Sequence, residues 1–574
     1  MQTAEQTVDR PRLLLDSVIL GIVGGLGAQL FMWMLRLSQN IFLTRLAGYQ
    51  PPGLPAEGGA PQQFIGVHGL WLIPVVTTLG GLISGALVYG LAPETEGHGT
   101  DTVVKAVHFT GGVLRARVAP VKMLASAITI GSGGSAGREG PIALIAAGFG
   151  SIYANFFHRP EHERRLLVLM GMAAGLSAIF RSPIGTAMFA VEVLYGGMDF
   201  EAGALVYCML AAIVAYAVNG WFVGWQPLFR VPSPLYVPGL ANYGWYIGLG
   251  AAAGIVATIL PEVFYRARDA FVALRVPAWI KPGIGGLLLG VMALRLPQVL
   301  GGGYGWIQEA IDGRLIVRVF LVLLVAKIFA LSFTVSSGGS GGVFAPSLFI
   351  GAMLGGAFAG IFHQPPAALV IVGMAAVFGA AARVPIATLL MVAEMTGGYQ
   401  LLVPAGLAVM LSYLIEVKLS AYLKYGSLYE AQVAGQADSP AHRAENVRIA
   451  LRLLDQGQIS LPPEVNHLHL AALLQSGLAV DLPDASQLTV GVLRPESPWV
   501  GKQIQSRDLT GDLVDTKMVA VLRGKSVLLA RPETVLQPGD RLLMIAPPQA
   551  QADLAKHLAP TSAPNPLPVA PSVS

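Results

Sequence analysis

The chain repeats itself, and the repeat leaves few architectures open. Residues 133–141, GGSAGREGP, return at 338–346 as GGSGGVFAP, with GGS, the following Gly and the Pro in register. Residues 171–193, GMAAGLSAIFRSPIGTAMFAVEV, return at 373–395 as GMAAVFGAAARVPIATLLMVAEM; Gly-Met-Ala-Ala, the Arg two before Pro, the Pro and a Glu nine residues later coincide. Both pairs keep an offset slightly over 200 residues, so the sequence divides into two related halves, roughly 10–220 and 240–425. Repeats of this kind build transporters whose site lies between the halves, near mid-membrane, and is formed by interrupted helices.

Apolar runs place these halves in a lipid bilayer. Residues 13–35, 70–91, 204–223 and 316–333 are each long enough, or nearly so, to cross a hydrocarbon core of about 30 Å. Only 12% of residues are charged, against roughly a quarter in soluble domains, so a large soluble enzyme with buried helices is excluded for want of polar surface. Many of the 69 glycines sit inside the apolar stretches, where they allow close backbone approach or break helices that line a cavity. The net charge of +4 comes without a basic block, so nucleic acid is not a partner. The single cysteine, Cys208, excludes an intrachain disulfide framework and a multi-cysteine metal site, and reads as a buried, inert thiol. Residues 1–12 lack the features of a cleaved signal and read as retained. No HExxH or paired carboxylate-and-His group suggests an enzyme, no GxGxxG loop suggests a nucleotide, and no cofactor is implied.

After Tyr429 the composition shifts. Residues 431–486 read as linker helices, 487–557 as a small domain of short strands (TVGVL, MVAVLRG, SVLLA, DRLLMIA) separated by Gly and Pro turns, and 558–574 as a disordered Pro/Ser/Ala tail.

Within the repeat, Gly-rich backbone leads through Gly137, Arg138, Glu139 and Gly140 to Pro141 and an apolar run, which reads as a loop feeding a helix N-terminus. Free N–H groups and the positive end of the helix dipole make such a place an anion site. A carboxylate at membrane depth costs about 2.5–3.5 kcal/mol, so Glu139 lines a pathway or pairs with Arg138 at the membrane edge. The second copy offers only the backbone and apolar cover of Val343 and Phe344. Two such loops related by a pseudo-two-fold would aim two helix N-termini at one anion.

These motifs identify a resemblance. Gly137–Pro141 resembles the GREGP signature of the CLC chloride channels and transporters, residues 342–346 resemble their GxFxP signature, and Tyr429 resembles the pore tyrosine after the last span. With GMAAGLSAIFRSPIGT and EMTGGYQLLVP, the resemblance covers about 10–430. It implies an all-α polytopic membrane protein with the inverted-repeat CLC fold of about 17–18 helical segments, a homodimer with one pathway per subunit, and chloride or a similar small anion as substrate. It also implies that Glu139 is the gating glutamate, its carboxylate competing with anions until protonated, and that His98, Gly137, Arg138, Gly140, Val343, Phe344 and Tyr429 form the anion site. The C-terminal segment resembles the RCK/Trk-A C-terminal domain through GK, VAVLRG, RPET and LQPGDRLL, which adds a small α+β regulatory domain, cytoplasmic, below a multi-pass inner-membrane protein. Such a domain binds an unidentified small ligand or serves as a passive dimerisation module. Potassium transport finds no TVGYG-like filter.

Two positions depart from the family pattern. The GSGIP signature corresponds to Gly97-His98-Gly99-Thr100-Asp101, so His98 stands where a serine usually coordinates chloride; it either holds the anion or caps the following helix. The inner glutamate of the proton-coupled exchangers corresponds to Val193, while Glu192 and its repeat partner Glu394 read as structural carboxylates at helix ends. The expectation is therefore anion transport weakly coupled or uncoupled to protons, with chloride/proton antiport, or preference for fluoride or nitrate, as the alternatives.

Overall fold

The computed structural model describes residues 10–60, 62–232, 242–442, 480–481, 487–504, 516–523, 526–530, 533–547, 550, 554 and 556–560, and the chain divides into two units after Gln436. The expected linker helices fall mostly outside the described residues, as do residues 561–574 of the tail.

Among the described residues, sixteen α-helices form the first unit, eight in each half. In the first half they are α1 (Arg10–Gln39), α2 (Ile73–Leu91), α3 (Thr100–Phe109), α4 (Val118–Gly131), α5 (Glu139–Phe156), α6 (Glu161–Phe180), α7 (Pro183–Glu192) and α8 (Ala202–Val223). The second half matches them in order: α9 (Tyr243–Ala273), α10 (Lys281–Ala293), α11 (Tyr304–Ile311), α12 (Val317–Val335), α13 (Phe344–Ile361), α14 (Pro366–Ala381), α15 (Pro385–Thr396) and α16 (Leu402–Ser420). Even the irregular turns correspond, with 3-10 turns at Pro93–Thr95 and Pro297–Val299 and left-handed backbone at Arg181 and Arg383. Each of these arginines ends a helix two residues before a proline that opens the next, so the break is written into both copies.

The two halves interlock reciprocally. Gly137 donates its amide to the Gly342 carbonyl and receives the Gly342 amide in return, both at 2.7 Å. Glu192, at the end of α7, accepts the amides of Ile386 and Ala387 at the start of α15 (3.1 and 2.7 Å). Glu394, near the end of α15, accepts the Ser182 hydroxyl and the Ile184 and Gly185 amides at the start of α7 (2.5, 3.2 and 2.8 Å). Each half thus caps a helix of the other with a carboxylate at its positive end. Both glutamates stand at helix ends, as their place in the repeat suggests.

Helices α5, α6, α13 and α14 are buried on nearly every side and form the core. Close backbone approach makes this packing possible: a side chain on Gly373 of α14 would run into the Gly351 carbonyl of α13. The outer helices present apolar side chains outward, among them Trp33 on α1, Trp221 on α8 (87% exposed), Ile255 on α9, Val325 on α12 and Leu414 on α16. Seven helical stretches among the described residues are long and apolar enough to cross a membrane: Pro11–Leu46, Ile73–Leu91, Ala202–Val223, Tyr243–Ala273, Val317–Val335, Phe344–Ile361 and Tyr399–Ser420. An apolar belt around a buried core is the surface of a multi-pass membrane protein. Cys208 is fully buried in α8.

A two-stranded ribbon, β1 (Tyr49–Gln50) and β2 (Phe64–Ile65), closes the loop between α1 and α2. The second unit holds an antiparallel sheet of β3 (Val480–Asp481), β4 (Gln487–Leu493), β5 (Lys517–Arg523), β6 (Ser526–Leu529), β7 (Arg541–Ala546) and β8 (Leu558–Pro560), in the order β3-β4-β7-β5-β6 with β8 also on β4. Strand β8 extends into the segment read from sequence as tail: residues 558–560 lie in the sheet because their backbone finds partners on β4. Leu493, Trp499, Val521, Leu536, Leu542 and Met544 form the core of this unit. Trp499 stacks on His557 at 4.4 Å, and Arg523 grips Asp540 through two bonds of 2.9 and 2.8 Å, a pairing that raises the already high pKa of the guanidinium.

Candidate functional site

Four helix N-termini, those of α3, α5, α11 and α13, are joined by contacts of the residues that open them, and the reason is local. The exchange between Gly137 and Gly342 holds α5 and α13 start to start. The turns before α3 and α11, residues 97–99 and 301–303, have matching left-handed glycines at Gly97, Gly99, Gly301 and Gly303. A buried lysine grips each turn: Lys122 donates to the carbonyls of Thr95 and Gly97 (3.0 and 2.6 Å), and Lys327 to those of Val299 and Gly301 (2.8 and 2.6 Å). Neither lysine makes an ion pair among the described residues; both are fully buried and hold their turns through backbone carbonyls. First-turn amides have no acceptor within their own helix, so the arrangement favours negative charge.

Glu139 opens α5 and is 1% exposed. Its Oε1 accepts the hydroxyl of Tyr304, the first residue of α11. Its Oε2 has no hydrogen-bond partner and lies over Gly137, beside the backbone of Ala345 on α13. Arg138 is not chiefly the partner of its neighbour: its guanidinium holds Glu57 through two bonds (3.1 and 2.5 Å), while its Nε stays 3.8 Å from Glu139. Glu57, which the loop between β1 and β2 brings in, is the closer partner of Arg138, while the Arg138–Glu139 pair weighed as an alternative for Glu139 persists at 3.8 Å.

His98 is 7% exposed, and its Nδ1 has no hydrogen-bond partner. The capping alternative fails, because the position before α3 is Gly99 and no side chain caps this helix. The ring lies 5.3 Å from that of Tyr429. From Tyr429 a run of aromatic rings leads through Phe189 (6.4 Å) to Phe344 (5.9 Å), which also touches Phe180 (4.4 Å) and Phe378 (3.9 Å). The structure thus brings together His98, Glu139, Gly140, Phe344 and Tyr429: Gly140 lies against the His98 carbonyl and against Gly342 with no room for side chains. Val343 precedes α13 and is fully buried. Gly137 differs from its sequence reading, since its amide is already bonded to Gly342 and is not offered to an anion. Arg138 likewise spends its guanidinium on Glu57 and on the face of Tyr304, 4.9 Å away.

Sequence reasoning missed Tyr304, Glu57 and the two lysines. A signal for Tyr304 existed: residues 301–304, GGGY, are the repeat copy of residues 97–100, GHGT, so Tyr304 stands where Thr100 stands in the first half. Val193, at the end of α7, is buried; its carbonyl and that of Ala382 receive the Gln432 side chain (3.1 and 3.0 Å).

Similarity to known proteins agrees with this geometry. The TrkA-C domain matches residues 492–559. A voltage-gated ClC-type chloride channel ClcB of Escherichia coli is 32% identical over 342 residues, 58% of this chain and 81% of that protein. An H(+)/Cl(-) exchange transporter ClcA of Cronobacter sakazakii is 31% identical over 353 residues, 58% of this chain and 74% of its own length. The crystal structure of a slow cyanobacterial Cl-/H+ antiporter shares the fold with a TM-score of 0.62 at 22% identity, over 72% of this chain and 96% of that one. The voltage gated chloride channel family matches residues 80–416, more than half of the chain, and the protein belongs to that family of CLC anion transporters.

Proposed function

We propose that the protein conducts chloride through one pathway per subunit, gated by Glu139 and weakly coupled or uncoupled to protons. The observation that carries this reading is the Glu139 carboxylate lodged where the start of α5 meets that of α13, the place where paired N-termini favour an anion. A carboxylate there competes with chloride, and protonation removes its charge and its claim on the site. His98, with its unpartnered Nδ1, lines the anion path beside Tyr429 and is the residue on which a preference for nitrate or fluoride would turn.

Weak coupling rests on α7. Proton exchange needs a titratable group at each end of the proton path; Val193 has none, and the Glu192 carboxylate is committed to the start of α15. The name of the Cronobacter relative favours a second reading, coupled chloride/proton antiport. We assign 10–430 to the membrane domain, 431–486 to a linker and 487–560, strand β8 included, to a regulatory domain. The protein acts as a homodimer in the inner membrane, with the C-terminal unit in the cytoplasm, where that unit binds a small ligand or pairs with its copy. Simultaneous chloride and proton flux from purified protein in liposomes tests the transport reading. Chloride efflux with little or no uphill proton movement is expected; sustained uphill proton pumping at fixed stoichiometry overturns it.

A further inference from the structure

Tyr304 is the only group among the described residues that donates a side-chain hydrogen bond to Glu139. Its position is fixed from several sides. Gly303, with φ of +82°, turns the chain into α11 and leaves no space between itself and Phe349. Lys327 holds the turn from behind through the carbonyls of Val299 and Gly301. The Arg138 guanidinium lies over the tyrosine ring at 4.9 Å, and Phe229 lies 5.9 Å away. The loop between β1 and β2 fastens both neighbours: Glu57 takes the Arg138 guanidinium, and the Pro52 carbonyl sits where any side chain on Gly305 would have to go. The loop is itself tied down by Arg181, which donates to the Ala56 carbonyl at 2.8 Å. An arrangement that needed only to fill space beside Glu139 would not require a hydroxyl pointed at its oxygen.

We propose that Tyr304 is the latch of the gate, a positioning residue whose hydroxyl holds the Glu139 carboxylate in the anion site. This deepens the reading of Glu139 as the gate and rests on it. The phenol O–H donates to the charged carboxylate, and hydrogen bonds to a charged group are about twice as strong as neutral ones. Once Glu139 takes a proton the bond loses that charge assistance, so the latch is strong when the gate is shut and weak when it is ready to swing. The groups that face Glu139 are Tyr304 from α11, Arg138 from the start of its own helix and the Ala345 amide from α13, with Tyr429 further off. Arg138 is already matched by Glu57, which leaves the hydroxyl as the direct tie.

The test is chloride flux against pH in liposomes for the parent, Tyr304→Phe, Glu139→Gln and the double variant, each first shown to elute as a single symmetric species. Removing the hydroxyl lets protons and chloride displace the carboxylate more easily. Tyr304→Phe is therefore expected to raise flux at neutral pH by about three- to tenfold and to move half-activation upward by about one pH unit. The double variant is expected to match Glu139→Gln alone, because a latch has nothing to hold without the carboxylate. Placing 3-fluorotyrosine, a stronger donor, at 304 is expected to move half-activation to lower pH, a direction that loosened packing would not give. A parent-like pH profile in Tyr304→Phe, with Glu139→Gln insensitive to pH, overturns the latch and leaves the gate standing; an equal effect of Tyr304→Phe with or without Glu139 also overturns it. If Glu139→Gln keeps the parent's pH response, the gate itself is wrong and the latch falls with it.

Discussion

Residues 97–100 and 301–304 occupy equivalent turns, gripped by equivalent lysines and opening equivalent helices, yet they present different chemistry. The first shows His98 beside the Tyr429 ring; the second shows Gly302 and ties Tyr304 to Glu139. The same division holds one helix further on, where α5 opens on Arg138 and Glu139 and α13 opens on Val343 and Phe344. The scaffold has remained two-fold, while Arg138 and Glu139 at the start of α5 have no charged counterpart at the start of α13. A site of two identical halves would place two carboxylates at one anion position, and like charges so close could not both remain ionised. One half supplies the carboxylate, and the other supplies backbone, aromatic cover and the Tyr304 hydroxyl.

One substitution takes away the carboxylate that sets the first half apart. Glu139→Gln or Glu139→Ala leaves neither half with a carboxylate at the helix start, and anion flux is expected to become nearly independent of pH. The parent should rise about tenfold per pH unit on the alkaline side of its activation, as the protonated fraction does. Flux measured across a pH series in liposomes checks this, and a parent-like slope in either variant places the gate elsewhere.

A second experiment separates scaffold from chemistry. Lys122→Met and Lys327→Met each leave two carbonyls without a donor, and both are expected to destabilise the protein by about 1–3 kcal/mol, read as lowered thermal midpoints in detergent. Their functional effects should differ because their turns carry different residues. Lys122→Met is expected to weaken chloride binding several-fold in calorimetry, while Lys327→Met should shift the pH profile of flux. Identical functional effects would mean that the lysines act only as scaffold.

The smallest expected effect is at His98. Restoring a serine hydroxyl there should change the ratio of chloride to nitrate flux by about two- to tenfold, on the scale of one hydrogen bond to a charged group. Unchanged ratios among chloride, nitrate and fluoride would take His98 out of the anion path.

Much of the fold was legible in the sequence because the repeat is a statement about geometry. Pro183 and Pro385, each after a chain-reversing arginine, mark the same helix break twice, and Glu192 and Glu394 are recognisable as helix-end carboxylates because they sit at the same distance from those prolines. The helix starts at Glu139 and Phe344 follow from Gly-rich backbone running into a proline. Partners brought from a distance were not legible. Glu57 lies in a short, unrepeated loop 81 residues before Arg138, and nothing local in residues 50–57 names a guanidinium as its partner. Nor does the amide of Gly137 reveal from sequence that the Gly342 carbonyl will claim it, since that bond exists only when the two halves are docked.

The exchanged carboxylates of α7 and α15 also bear on the order in which the protein is made. When the first half leaves the ribosome, the start of α7 has no acceptor of its own, because its acceptor is Glu394, which has yet to be synthesised. The Glu192 carboxylate waits in the same way for amides more than 190 residues downstream. In a lipid environment such unsatisfied groups are costly, so the nascent first half depends on water, the insertion machinery or a second copy of itself until translation finishes. Completion of the chain, rather than insertion of each helix in turn, is the event that commits the molecule to its final form.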